Sequence, residues 1–203
     1  MKHQHSLLIT TVLNLMLLLL AACSSPEPRY YVLTDTITPT QRLTPAGTDI
    51  SVGVGPLELP EYLDRPQIVT RSDQNELQLA EFDRWAAPLK DNVIQVLAEN
   101  LGTQLSGNKV SVYPWKRAAR IDYQLRVKIT RFDRSIDGDS VLNAHWSVLN
   151  GNGEELAAHD AHYTERPSGS GYRATVAAMN LALERFSRDA ADTINTLRKG
   201  SAE

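Results

Sequence analysis

Between Ile121 and Thr130 the chain alternates strictly: Ile121, Tyr123, Leu125, Val127 and Ile129 are apolar, while Asp122, Gln124, Arg126, Lys128 and Thr130 are polar. A period of two sends these sets to opposite sides of a strand, so the segment requires a sheet with one buried and one wet face. Phe132 falls one residue out of step, which predicts a bulge near Thr130 to Phe132. Asp137-Gly138-Asp139 turns the chain. Leu142, Ala144, Trp146 and Val148 then alternate with Val141, Asn143, His145 and Ser147 as an antiparallel return strand. Asn150-Gly151-Asn152-Gly153 is a second hairpin turn leading into a strand from Glu155 to Thr164. Together these three strands form a meander.

Two helices follow from a different period. After Pro88, which suits the first turn of a helix because its missing N–H costs nothing there, Leu89, Val93, Val96, Leu97, Leu101 and Leu105 recur at steps of three and four. Their apolar stripe should face a sheet. Gly107-Asn108 ends that helix, and Val110, Val112 and Tyr113 begin a strand. Beyond Ser168-Gly169-Ser170-Gly171, a second helix carries Tyr172, Val176, Met179, Leu183, Phe186, Ala190, Ile194 and Leu197. Arg173, Asn180, Glu184, Arg188 and Asp192 lie on its outer face.

The earlier part of the chain is more broken. Tyr30-Tyr31-Val32-Leu33 reads as the first strand and Thr34 to Asp49 as an irregular loop. Ile50, Val52 and Val54 form a buried strand, followed by an extended segment kinked at Gly55-Pro56 and Leu59-Pro60. Pro66 to Arg71 and Glu76 to Ala80 read as short strands around the polar turn Ser72 to Asn75. The expected fold is α+β: a largely antiparallel sheet with two long helices packed on one face.

The N-terminus is of another kind. Lys2 precedes an apolar run from Leu7 to Ala22, and Leu20-Ala21-Ala22-Cys23 closes it with the chain's only cysteine. The run is short for a membrane span, and small residues before Cys23 suit a peptidase, so residues 1–22 read as a lipoprotein signal peptide. An ordinary signal peptide and a short N-terminal membrane helix are the competing readings. Cys23 is the expected lipidation site. With two or three acyl chains, at about 0.8 kcal/mol per buried CH₂, it becomes a stable anchor. Residues 23–29 are the lipidated tether, whose six residues from Ser24 to Arg29 reach about 20 Å when extended; residues 30–203 are the domain. Ser24 stands where aspartate would signal retention in an inner membrane, so the expected location is the outer membrane, on its periplasmic face.

Cleavage would remove one charge, Lys2, leaving 20 of the chain's 21 Lys and Arg against 24 Asp and Glu. This mixed, mildly negative balance has no polybasic footprint, which disfavours nucleic acid and suggests no electrostatic grip on anionic lipid. With Cys23 acylated no thiol remains for a disulfide or a thiolate metal site. His145, His159 and His162 with Asp160 resemble a metal or acid–base cluster only in composition. Residues three apart in a strand point to opposite faces, so His159 and His162 cannot share a metal without a bulge. Ser168 to Gly171 lacks the lysine and spacing of a phosphate loop and reads as a helix cap. No nucleophile elbow or glycosidase-like carboxylate pair is present, so the expectation is a non-enzyme with no cofactor and no metal. Tyr30, Tyr31, Tyr62, Trp85, Tyr113 and Trp115 sit near element ends. There they either close the core or anchor an interface.

In order along the chain stand the lipobox at Cys23, Tyr30-Tyr31-Val32-Leu33, Val52-Gly53-Val54-Gly55-Pro56, and the run from Leu59-Pro60-Glu61-Tyr62-Leu63-Asp64-Arg65-Pro66 to Val69. Trp85-Ala86-Ala87-Pro88-Leu89 at the helix entry, and Phe132, Gly138 and Ala144-x-Trp146 with the helix from Tyr172 to Leu197, complete the set. This pattern resembles the auxiliary lipoproteins of ABC-type transport systems, the PqiC/YmbA family, over nearly the whole mature chain. The resemblance implies an outer-membrane lipoprotein working with an MCE-domain (PqiB-like) protein and inner-membrane components that move lipid across the periplasm. It transfers no catalytic residues. On that footing the Gly55 to Pro66 segment, with Tyr62 and Trp85, is the candidate partner-binding surface, and a homo-oligomeric ring around the partner's channel is compatible with it. The rival readings are a periplasmic carrier that itself holds an acyl chain, and an envelope hydrolase built around His145, His159 and Asp160.

Overall fold

A computed structural model describes residues 26–37, 50–105, 108–115 and 120–200. The lipobox, Cys23 and most of the loop from Thr34 to Asp49 lie outside the described residues. The elements are β1 (Arg29–Tyr31), β2 (Ser51–Glu58), a 3-10 turn (Glu61–Leu63), β3 (Gln67–Arg71), β4 (Leu77–Trp85), α1 (Leu89–Gln104), β5 (Lys109–Val112), β6 (Tyr123–Arg134), β7 (Ser140–Asn150), β8 (Glu155–Glu165) and α2 (Tyr172–Gly200).

The meander β6–β7–β8 forms as the alternation requires, with Leu125 opposite Val148 and Lys128 opposite His145. Its register slips between Ile129 and Arg131, the predicted bulge. Gly138 and Gly153 take positive φ in the two hairpin turns, where a side chain would be strained. The rest of the sheet hangs on the other edge of β6, and there it forks. β2 runs parallel to the first half of β6, from Val52 opposite Tyr123 to Glu58 opposite Lys128, and carries β5 on its far side. β3 meets the last residue of β6, Thr70 opposite Arg134, and carries β4 and then β1. The sheet is therefore mixed: its hairpins are antiparallel, and its long-range pairings β1–β4, β2–β5, β2–β6 and β3–β6 are parallel. The α+β class holds.

Both helices lie against the same face. α1 packs on β2 and β5, α2 on β6, β7 and β8, and the helices touch each other. Val93, Leu97 and Leu101 of α1 and Ala182, Leu183 and Ile194 of α2 are fully buried. Phe186 meets Trp146 edge-on at 5.7 Å and Tyr163 at 6.2 Å, pairings that contribute about 0.5–1.5 kcal/mol each beyond their buried area. Between the helices, buried Asn100 donates to Ser187 Oγ at 3.4 Å.

Three boundaries shift from expectation for local reasons. β1 ends at Tyr31 rather than Leu33 because the backbone N–H and C=O of Leu33 bond the Asn92 side chain on α1, at 2.6 and 3.0 Å. Asn180 on α2 likewise accepts from Thr34 N at 3.2 Å, so both helices hold the departing chain. β4 runs past Ala80 to Trp85, held by β1 on one side and by Trp85 N donating to Pro66 O at 2.6 Å on the other. Pro88 sits just before the first helical residue, as the cap of α1.

Gly53 shows how close the opposite face is packed at one end: a Cβ there would lie 2.8 Å from the Trp115 ring and 3.1 Å from Ile121. Gly53→Val should therefore destabilise by about 1–3 kcal/mol through overpacking and displace Trp115, read as a lower urea midpoint with red-shifted tryptophan emission. Tyr163 tests the helix–sheet contact differently. Burial first, and then the hydrogen bond to Asp189 Oδ2 at 2.5 Å, push its phenol above its ordinary value. Burial, followed by Asp133, does the same to Tyr62. Above about pH 10 the unfolded chain loses protons that the folded chain keeps, so stability contributed by these phenols is intact below that pH and falls as pH rises. Tyr163→Phe should flatten that alkaline fall in denaturant titrations.

Candidate docking face

With both described helices on one side, the other face of the sheet is left, among the described residues, to side chains and loops. It is covered at one end by Trp115 and Ile121 over Gly53. At the other end lies the run from Leu59 to Pro66, and strand register explains its shape. Glu58 pairs with Lys128 and Thr70 with Arg134. The chain thus uses far more residues between its two pairings than β6 does, and the surplus leaves the sheet as the 3-10 turn and the bend after it.

That excursion is fastened to one buried carboxylate. Asp133, 1% exposed, follows the bulge on the helix-free side. It accepts from Tyr62 Oη at 3.1 Å, Arg71 Nε at 3.1 Å and Arg131 Nε at 2.9 Å. Two guanidiniums and a phenol satisfy the charge that burial would otherwise penalise. The Arg71 guanidinium also lies over the Tyr62 ring at 5.8 Å, and its pKa is held above the usual arginine value by Asp133 in spite of burial. Asp133 has no distinguishing motif. The one trace of it in the sequence is the out-of-step Phe132, which moves residue 133 to the face away from the helices.

Between the two covers the face is open. The register sets Glu58, Lys128, His145 and Asp160 side by side across β2, β6, β7 and β8, a row whose acidic ends flank basic groups. His145 Nδ1 bonds Asp160. This row, with Arg126 and Ser147, lines a shallow depression of about 400 Å³. Among the described residues neither Arg126 nor Lys128 has an ion-pair partner within the chain.

The residues singled out from sequence separate. Tyr62 is half-buried with its hydroxyl on Asp133. Trp85 is 5% exposed and belongs to the core, so it supports the excursion through its backbone bond to Pro66 and presents no ring to solvent. Tyr30 and Tyr113 are exposed; Tyr113 meets Trp115 edge-on at 5.3 Å. His159 stacks on Trp146 at 4.6 Å, whereas His162 pairs across the strand with Asn143 on the other face. The three histidines therefore do not converge, and His145 and Asp160 are exposed. Among the described residues no group of three His, Cys, Asp or Glu is placed to hold a metal, and no helix is long and apolar enough to cross a membrane.

This architecture and sequence have relatives. The profile of a family described as ABC-type transport auxiliary lipoprotein component matches residues 31–191. The intermembrane transport lipoprotein PqiC of Escherichia coli K12 is 31% identical over 137 residues, covering 66% of this chain and 71% of that protein, and its Shigella flexneri counterpart matches equally. In fold, a Xanthomonas campestris protein of known crystal structure superposes with a TM-score of 0.69 at 21% identity, over 86% of this chain and 100% of that one. The match runs from the end of β1 through the excursion over Asp133 and α1 to residue 191 within α2, and the chain belongs to the ABC-type transport auxiliary lipoprotein family.

Proposed function

We propose that this chain is the lipid-anchored, periplasm-facing docking subunit of an MCE-type, PqiABC-like lipid transport system at the outer membrane, and that its role is non-catalytic. Acylated Cys23 holds it to the membrane, and the helix-free face receives an MCE-domain protein that is linked to inner-membrane components. The observation that carries this reading is that face itself. Among the described residues it is bare of helices, edged by an excursion locked on Asp133, and crossed by a charged row beside Arg126, with neither Arg126 nor Lys128 in an ion pair. Unpaired charges on an ordered concave surface cost little in water and become useful when a complementary surface approaches. Tyr62 and Trp85 act in this scheme by fixing the excursion, Tyr62 from above the sheet and Trp85 from within it. Family membership and the likeness to PqiC supply the transport context. The carrier reading finds less support: the depression on the open face and a second cavity of about 400 Å³ beside Ile37, Gln104, Arg188 and Asp192 mix apolar side chains with charged ones, and an acyl chain entering either would lie against those charges.

In-cell cross-linking of the tagged full-length lipoprotein tests the proposal. Recovery of an MCE-domain protein is expected, and recovery only of the lipoprotein itself or of phospholipid would overturn it. Charge reversal locates the surface. Arg126→Glu with Lys128→Glu alters exposed residues and should shift stability by no more than about 0.5 kcal/mol, yet reduce capture of the partner at least tenfold. Unchanged capture by that variant would remove the depression from the docking surface.

A further inference from the structure

The arm of the sheet made of β1, β4 and β3 carries a surface that docking leaves unexplained. Register assigns its helix-free side: Tyr30 pairs with Arg84 and Arg84 with Gln67, Val69 pairs with Leu79, and Arg71 with Leu77. Gln67, Val69 and Arg71 alternate on β3, and Arg71 reaches Asp133 on the helix-free side. Tyr30, Arg84, Leu79 and Leu77 therefore share that side. Tyr30 is 63% exposed, Leu79 43% and Leu77 36%. Beside them stand Arg84 and Arg65, both part-exposed; such side chains can offer their outer N–H groups to an anionic oxygen beyond the chain.

The direction of the tether says what this surface faces. β1 runs parallel to β4, with Arg29 opposite Asp83. Traced backwards from Arg29, the chain therefore heads along β4 toward Leu79 and Leu77. β1 is fixed in this pose by Tyr31 Oη and Arg29 Nη2, which donate to buried Asp83 at 2.7 and 2.9 Å. A tether from Cys23 leaves this arm within about 20 Å of the bilayer. Exposed tyrosine and leucine interleaved with arginine is the composition of a membrane interface, where apolar groups enter the headgroup region and guanidiniums take phosphate oxygens.

We infer that the β1–β4–β3 arm rests on the bilayer surface, with Tyr30, Leu77 and Leu79 at the interface and Arg65 and Arg84 on phospholipid phosphates. The inference rests on the lipid-anchor reading above and deepens it: the anchor holds the protein at the membrane, and the arm sets its orientation. Asp64, Asp73 and Glu76 nearby keep the patch from being strongly basic, so contact depends on the high effective concentration that the anchor supplies. Sheet twist of roughly 20–25° per strand turns β4 about 60–75° away from β7. The arm can thus meet the bilayer while the depression faces elsewhere.

The test uses the full-length acylated protein in vesicles of phosphatidylcholine, or of phosphatidylcholine and phosphatidylglycerol in equal parts. A spin label is placed at Leu77→Cys or, as the reference, at Leu181→Cys on the exposed side of α2. Shielding of the Leu77→Cys label from a water-soluble relaxant is expected, greater with phosphatidylglycerol. Because a basic residue near an anionic surface strengthens binding roughly fivefold, Arg65→Gln with Arg84→Gln should largely relieve the shielding. Tyr30→Ser, at an exposed site that tolerates change, should relieve it as well. Equal exposure of the two labels in vesicle-bound, acylated protein would overturn the inference and leave the anchor standing. Shielding that develops only when an MCE-domain protein is added would overturn it in favour of a protein contact. An intact mass without acyl chains would remove the anchor reading, and the inference with it.

Discussion

Asp133 is a carboxylate taken out of water on the side of the sheet that has no helices, and the arrangement of that side follows from the need to neutralise it. Breaking a buried charge pair from one side typically costs about 3–5 kcal/mol, which is the scale of the constraint. Three separate pieces of chain supply the compensation: Arg131 from just after the β6 bulge, Arg71 from β3, and Tyr62 from the excursion between β2 and β3. Each needs its element where it is. Without the bulge residue 133 would face the helices, and without the excursion Tyr62 would have no route over the sheet.

The same constraint explains why the sheet forks. β2 and β3 share one edge of β6 end to end, and the residues between them cannot all lie in the sheet. They rise over it and are tied to Asp133, converting what would be an open gap in the hydrogen-bond ladder into a rigid rim. On the far side of the fork the β1 arm turns away with the twist of the sheet. One face thereby offers two surfaces of different character: a charged depression over the meander, and an apolar, arginine-bearing patch near the tether.

Much of this was legible in the sequence wherever the signal was local. The meander, its bulge, both hairpin turns and both helices follow from periods of two and 3.6 read over short windows, and they stand within a few residues of expectation. The parallel pairings were not legible. Val52 meets Tyr123 across some seventy residues, and no periodicity encodes which edge of β6 a distant strand will choose. Trp85 illustrates the consequence: at a helix entry it could either close the core or anchor an interface, and β4 extends to include it and carries its ring into the core. Asp133 carries no local signal of burial, because its cover comes from Tyr62, remote in sequence.

The central claim is that the helix-free face, and not the helix layer, meets the transport partner. It is tested most directly by site-specific photo-cross-linking in cells, with the reactive side chain placed at Lys128 in the depression or at Leu181 on the exposed side of α2. The account predicts that an MCE-domain protein is captured from Lys128 and not from Leu181. Capture from Leu181 with none from Lys128 would contradict it.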